Sequence, residues 1–179
     1  MKKHIVVGVT GSIACYKALD IIRGLRKLGV SCKVVLTKEA EEFIRPILFQ
    51  SISGDKVISQ DLFKVPEEWD AAHISLAEKA DLVLVAPATA NIIAKVANGM
   101  CDDMLTCCIC ATKARVLFAP AMNSNMYRNK IVQENIQKLK KTGYHFTGPI
   151  KGKLTCGTEG LGHIQATEAI IKEARELLK

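Results

Sequence analysis

Ile5-Val6-Val7-Gly8-Val9-Thr10-Gly11-Ser12 joins a short apolar run to a small polar turn, and the residue pattern on the far side of that turn decides the fold. From Ile13 to Leu28 the pattern is helical. Ala14, Ala18, Ile21, Ile22, Leu25 and Leu28 share one side, while Lys17, Asp20, Arg23 and Lys27 face away. Gly29 is placed to cap the helix at its carboxyl end. Cys32-Lys33-Val34-Val35-Leu36 then makes a second strand. Strand, helix and strand at this spacing form a βαβ unit, whose crossover is right-handed and whose strands are parallel. The first strand is apolar without alternation, as expected when both faces are covered.

Further along, Asp81-Leu82-Val83-Leu84-Val85-Ala86 is the clearest strand and is expected to stop at Pro87. Between the second strand and this one, the pattern predicts a short helix around Glu39 to Phe43, a break at Pro46 and a turn at Gly54-Asp55. Helical stretches are predicted over Asn91 to Asn98, Asp103 to Thr112, Lys130 to Lys141 and Thr167 to Leu178, the last with Thr167 as N-cap. Arg115 to Ala119 reads as another buried strand. No repeat or low-complexity linker interrupts the chain. The expectation is a single doubly wound α/β domain over residues 1–179, built on a parallel sheet.

Composition narrows the function classes. At 179 residues the chain can bury a substantial core, and 49% hydrophobic with 24% charged residues is ordinary for a soluble globular protein. Its apolar runs fall short of the ~20 residues that span a bilayer. The basic start before Ile5 resembles a signal peptide, but the run ends at Val9, too short for an h-region, so a cytoplasmic location is expected. Seven cysteines in mostly apolar surroundings read as reduced thiols. Cys107 and Cys110 form a C-x-x-C, yet they fall in what reads as a buried helix, and no second ligand pair stands at zinc spacing, so no metal is expected. The formal charge of +7 favours anionic partners. Aromatics are too sparse for a nucleic-acid stacking platform, which leaves phosphorylated small molecules as the better class.

Three polar loops would follow strands on one sheet edge, where ligands bind in open α/β sheets. Gly8-Val9-Thr10-Gly11-Ser12 offers backbone N–H groups, a hydroxyl and a helix N-terminus to a phosphate, or is simply a tight turn. It lacks G-x-G-x-x-G, and the second strand ends Leu36-Thr37-Lys38 without a carboxylate for a ribose, which favours a mononucleotide over NAD. Pro87-Ala88-Thr89-Ala90-Asn91 is small enough for a flat ring to approach, although Thr89 or Asn91 is equally suited to cap the next helix. Pro120-Ala121-Met122-Asn123-Ser124-Asn125-Met126-Tyr127 carries two carboxamides, two thioethers and an aromatic ring, a set that can orient a small polar substrate and cover it with apolar surface.

Two further residues bear on chemistry. His73, in Ala71-Ala72-His73-Ile74-Ser75-Leu76, is structural or catalytic. Cys156 lies in a segment with four glycines from Gly152 to Gly162, a loop expected to act as a lid whose exposed thiol delivers a proton.

Taken in order, Gly11-Ser12-Ile13-Ala14-x-Tyr16-Lys17, His73-Ile74-x-Leu76, Pro87-Ala88-Thr89-Ala90-Asn91, Asn98-Gly99-x-x-Asp102-Asp103, Pro120-Ala121-Met122-Asn123 and Leu154-x-Cys156-Gly157 resemble the homo-oligomeric flavin-containing cysteine decarboxylases over nearly the whole chain. The resemblance implies a Rossmann-like flavoprotein that decarboxylates 4′-phosphopantothenoylcysteine in coenzyme A biosynthesis. It implies FMN held by Gly11, Ser12, Ile13, Thr37, Thr89, Ala90, Asn91 and Ala121. Asn123, with Met122, Met126 and Tyr127, would bind substrate, His73 would act at the flavin-dependent oxidation, and Cys156 would donate the proton. The resemblance also implies a homo-oligomer, a trimer or a dodecamer assembled from trimers, with sites shared between subunits.

Tyr127 stands where the family's clamp usually has Trp, and His163 where its Gly-rich segment usually has Arg. A fused ligase domain, present in many bacterial versions, is not expected here. The rival readings are a peptidyl-cysteine decarboxylase acting on a peptide C-terminus, a non-catalytic FMN-binding regulator, and a prenyl-FMN synthase, which would leave Asn123 unexplained.

Overall fold

The computed structural model describes residues 2–59, 72–153, 157 and 159–179. Strands β1 (His4–Val9) and β2 (Ser31–Leu36) flank a single 3-10 turn, Ile13–Tyr16, and helix α1 (Lys17–Lys27). The predicted helix is therefore divided: Ser12 caps the 3-10 turn by accepting from the Ala14 N–H at 3.3 Å, and α-helical bonding starts a turn later. Gly29 adopts φ +80 and closes the helix as expected.

Two short helices come next, α2 (Lys38–Glu41) and α3 (Pro46–Ser53). Pro46 does not break structure; it opens α3 at the first turn, where its missing N–H is not needed. Beyond α4 (Ala72–Lys79), strand β3 (Leu82–Ala88) runs through Pro87 instead of stopping before it, with its ladder to the next strand shifted between Val85 and Ala88. Then come α5 (Ala90–Ala97), α6 (Met104–Ala111), β4 (Arg115–Pro120), α7 (Ser124–Arg128) and α8 (Lys130–Lys141). The chain ends with a two-residue β5 (His145–Phe146), a hairpin of β6 (Ile150–Lys153) and β7 (Glu159–His163), and α9 (Thr167–Leu177). Thr167 is not the cap of α9. Ala166 holds that position without a side-chain bond, and Thr167 lies inside the first turn. The glycine-rich segment, expected as a loop, is mostly this antiparallel hairpin; Cys156 lies outside the described residues.

The sheet order is β2-β1-β3-β4-β5, and every pair is parallel. The chain winds outward in one direction from β1 to β2 and in the other from β1 through β3 to β5, so the topological switch falls between β1 and β3. Alternate strand residues fill two cores. Val7, Val9, Leu84 and Leu117 meet α1, α3 and α9 through Ile21, Ile22, Phe49 and Ile170. Val6, Val83, Val85 and Phe118 meet α4, α5, α6 and α8 through Leu76, Ile93, Leu105 and Leu139. Each fully buried aliphatic side chain contributes about 1.5–3 kcal/mol, so two continuous cores hold the strand ends in register. Cys107 and Cys110 depart from the buried-helix expectation. Cys108 alone of the three is buried; Cys107 is half-buried and Cys110 exposed. Among the described residues there is no metal-ligating group of His, Cys, Asp and Glu, and no helix is long and apolar enough to cross a membrane.

Candidate active site at the sheet edge

Four strands deliver their next residues to one edge: Thr10 after β1, Thr37 after β2, Thr89 after β3 and Ala121 after β4. Thr10 ties two of these loops together. Its hydroxyl donates to the Pro87 carbonyl at 2.7 Å and accepts from the Thr89 N–H at 3.2 Å. That bridge crosses the β1/β3 switch, where doubly wound sheets bind ligands. Thr89 in turn caps α5, accepting from the Ile92 N–H at 3.3 Å, so the capping alternative for Thr89 is the observed one.

Two cavities open here. The smaller, about 230 Å³, is lined by Gly11, Thr37, Thr89, Ala90 and Asn91 of the expected flavin set, together with Thr10, Glu39, Asp103 and Met126. The larger, about 370 Å³, takes Ser12, Ile13 and Ala121 of that set with Met122 and Asn123 of the substrate set. The residues fit a flavin on an independent observation. Thr37 is only 5% exposed, and its buried hydroxyl has no hydrogen-bond partner among the described residues. Its N–H is already fixed to the Val9 carbonyl at 3.0 Å, so the side chain is held in place and its polar atom is left for a ligand.

Asn123 caps α7, its side-chain oxygen accepting from the Asn125 N–H at 2.8 Å. This local helix was hidden in a stretch expected as loop. The β6–β7 hairpin lies on the same segment. The Met122 N–H donates to the Gly162 carbonyl at 3.0 Å, and a β-carbon on Gly162 would collide with the Met122 carbonyl. Only glycine allows the two backbones to approach this closely.

His73 and Tyr127 are not brought to either cavity. His73 is half-buried in the first turn of α4, whose Leu76 and Ala77 pack into the second core. Tyr127 is partly buried against that same core. Thr10, Asp103 and Ser124 lie in motifs legible in the sequence, but none of them has a role of its own there. Asp103 makes a capping box with Thr106 and pairs with Lys95 at 3.1 Å; Asp102 pairs with the same ammonium at 2.9 Å. Burial opposes the charge on Lys95, but the two carboxylates outweigh it and hold the ammonium above its ordinary value. Ser124 has a buried hydroxyl without a partner among the described residues. Lys17, Lys153 and His163, on the wall of the larger cavity, were likewise not expected as site residues. The Asp103 and Thr106 spacing was a readable sign; the others depend on contacts distant in sequence.

The chain is similar over its length to known proteins. It is 42% identical over 180 residues to a probable phosphopantothenoylcysteine decarboxylase of Streptococcus mutans, covering 99% of this chain and 100% of that one. It is 45% identical over 162 residues to the coenzyme A biosynthesis bifunctional protein CoaBC of Vibrio vulnificus, covering 90% of this chain and 40% of that protein. The chain thus spans about two fifths of the length of such bifunctional relatives. Among solved structures it matches a PPC decarboxylase mutant complexed with pantothenoylaminoethenethiol, with a TM-score of 0.87, 27% identity and 98% of each chain covered. It also matches the FMN-dependent cysteine decarboxylase SpaF, with a TM-score of 0.83, 28% identity, and 99% of this chain and 98% of that one covered. The Flavoprotein family model matches residues 1–179, and the chain belongs to the Flavoprotein family.

Proposed function

We propose that this protein is an FMN-dependent decarboxylase that converts 4′-phosphopantothenoylcysteine to 4′-phosphopantetheine. The observation that carries this reading is the convergence of the β1 turn and the Asn123 segment on one cavity, beside a second cavity with the orphaned Thr37 hydroxyl. The similarity to a probable phosphopantothenoylcysteine decarboxylase along the whole of both chains supports it.

A carboxylate on an ordinary cysteine carbon leaves no stabilised carbanion when carbon dioxide departs. Bound flavin supplies a two-electron oxidation of the cysteinyl thiol, which creates the missing electron sink, and returns the electrons afterwards. In this reading Gly11, Ser12, Ile13, Thr37, Thr89, Ala90, Asn91 and Ala121 hold the FMN. Asn123 orients the carboxylate that leaves, and Met122 lines the cavity beside it with apolar surface. Exclusion of water there destabilises the carboxylate relative to neutral carbon dioxide. The Cys156 thiol gives its proton to the carbon that has lost the carboxylate.

His73 is assigned to the oxidation step. Within one chain it lines neither cavity, and its neighbour Ile74 is 38% exposed. That placement suits a site completed by a second copy of the chain, as in a trimer. A cytoplasmic setting, which keeps thiols reduced, goes with the reading.

The test is to purify the protein, load it with FMN, and follow product masses from 4′-phosphopantothenoylcysteine beside a cysteine-terminated peptide. A yellow protein that loses carbon dioxide from the first substrate supports the reading. Turnover of the peptide alone transfers it to the peptidyl class, and a protein that takes up no flavin ends it. Cys156→Ser is expected to decarboxylate yet accumulate the oxidised enethiol.

A further inference from the structure

The larger cavity holds three basic side chains besides the residues assigned to the flavin and to the carboxylate. Lys17 enters it from the start of α1, Lys153 from the end of β6 and His163 from the end of β7. Three separate segments thus bring basic side chains to the cavity that holds Asn123, and none of its described lining residues is Asp or Glu. The remaining wall includes Ile13, Ala121, Met122 and Ile164, whose low polarisability strengthens the field of the cations.

Lys3, Lys33 and Lys95 each pair with an aspartate, whereas neither Lys17 nor Lys153 makes an ion pair among the described residues. The Lys17 ammonium lies 5.6 Å from the Tyr16 ring centroid, which holds it without neutralising it. Nδ1 of His163 donates to the Ile164 carbonyl at 2.8 Å, so Nε2 is the ring atom that meets a phosphate, as a donor when both ring nitrogens carry a proton.

We infer that Lys17, Lys153 and His163 form a subsite for the phosphate monoester of the substrate, distinct from the groups that hold the flavin. The inference rests on the decarboxylase reading for the identity of the ligand, but not for the presence of an anion subsite. A phosphate monoester carries about −1.5 to −2 charge near neutral pH, and lysines bind it as point charges. FMN bears a phosphate of the same chemistry. For that one the smaller cavity offers the α5 N-terminus with Thr89, Ala90 and Asn91, so the cations of the larger cavity are left to the substrate. The subsite separates two substrate classes that both present a cysteinyl carboxylate, because a peptide C-terminus has no phosphate to place there.

The test uses FMN-loaded protein and isothermal titration calorimetry with 4′-phosphopantetheine and pantetheine, in the wild type and in the double variant Lys17→Gln/Lys153→Gln. The wild type is expected to prefer the phosphorylated ligand by at least about tenfold, the scale of one charge-assisted hydrogen bond, and to lose that preference as salt rises. The double variant is expected to bring the ratio close to unity while its FMN affinity stays at the wild-type value, and Lys17→Arg/Lys153→Arg to restore the ratio. A wild type that does not discriminate, or a variant that keeps the preference, overturns the subsite. A variant whose affinity for FMN falls while its affinity for riboflavin holds also overturns it, by assigning the cations to the flavin phosphate. A wild type that discriminates but releases no carbon dioxide retires the decarboxylase reading and retains the subsite. One that releases carbon dioxide while the variant keeps its preference retires the subsite alone.

Discussion

The Thr10 hydroxyl accepts from the Thr89 N–H at 3.2 Å while donating to the Pro87 carbonyl at 2.7 Å, and so fastens the loop after β1 to the loop after β3. Thr10 is 2% exposed, so water cannot replace either bond. Thr10→Val leaves a buried donor and a buried acceptor without partners, at about 1–3 kcal/mol each before relaxation. The expected result is a loss of several degrees in Tm, at about 2–4 °C per kcal/mol for a chain of this size, together with weaker flavin binding. Thermal unfolding with and without FMN measures both.

Thr37→Val should act in the opposite direction on the free protein. The wild-type hydroxyl is buried without a partner among the described residues, a state that costs about 1–3 kcal/mol. Valine removes that cost, so the flavin-free variant should melt at or above the wild-type temperature. Its FMN affinity should fall about tenfold, because the lost group is the one left for the ligand. Fluorescence titration of FMN against Tm of the flavin-free protein separates the two effects. A lower Tm with unchanged FMN affinity would show the hydroxyl to be structural.

Gly162→Ala places a methyl group against the Met122 carbonyl and forces the β6–β7 hairpin away from the Asn123 segment. Overpacking of this kind costs about 1–3 kcal/mol. The hairpin carries Lys153 and His163, so affinity for the phosphorylated ligand should decline with stability, whereas a flavin held in the smaller cavity should be retained. Calorimetry with 4′-phosphopantetheine beside an FMN titration checks the contrast.

Asp81 sets an acid limit. The His4 N–H at 2.7 Å, helped by the Lys3 ammonium at 3.3 Å, holds its carboxyl below the ordinary value in spite of partial burial. A carboxyl depressed by folding stabilises the protein above its unfolded pKa, and the gain is lost as pH falls through the lower folded value. The Tm difference between wild type and Asp81→Asn should be constant near neutrality and shrink below about pH 4. A difference that persists to the lowest pH would remove Asp81 from this role.

The βαβ start, strands β1 to β4 and the loops at their carboxyl ends were legible in the sequence because they depend on period and composition within a short window, whereas the two-residue β5 was too short to show a pattern. Cys32 to Leu36 and Lys130 to Lys141 needed nothing from elsewhere in the chain. Pro46 and Pro87 misled because proline limits structure differently at a helix start and within a shifted ladder than in a helix interior. The β6–β7 hairpin was hidden because Gly162 serves a backbone contact with Met122, a partner far off in sequence. The role of Thr10 was hidden for the same reason, since its partner Thr89 is 79 residues distant. His73 stands on α4, away from the described residues that line the two cavities, because its place depends on tertiary packing and not on its local motif.

The most direct measurement is a single-turnover reaction of the FMN-loaded protein with 4′-phosphopantothenoylcysteine, read by product mass and released carbon dioxide. The account predicts stoichiometric carbon dioxide and 4′-phosphopantetheine, with no product from Asn123→Ala at matched flavin content. Unchanged substrate in the presence of bound FMN, or full activity in Asn123→Ala, would contradict it.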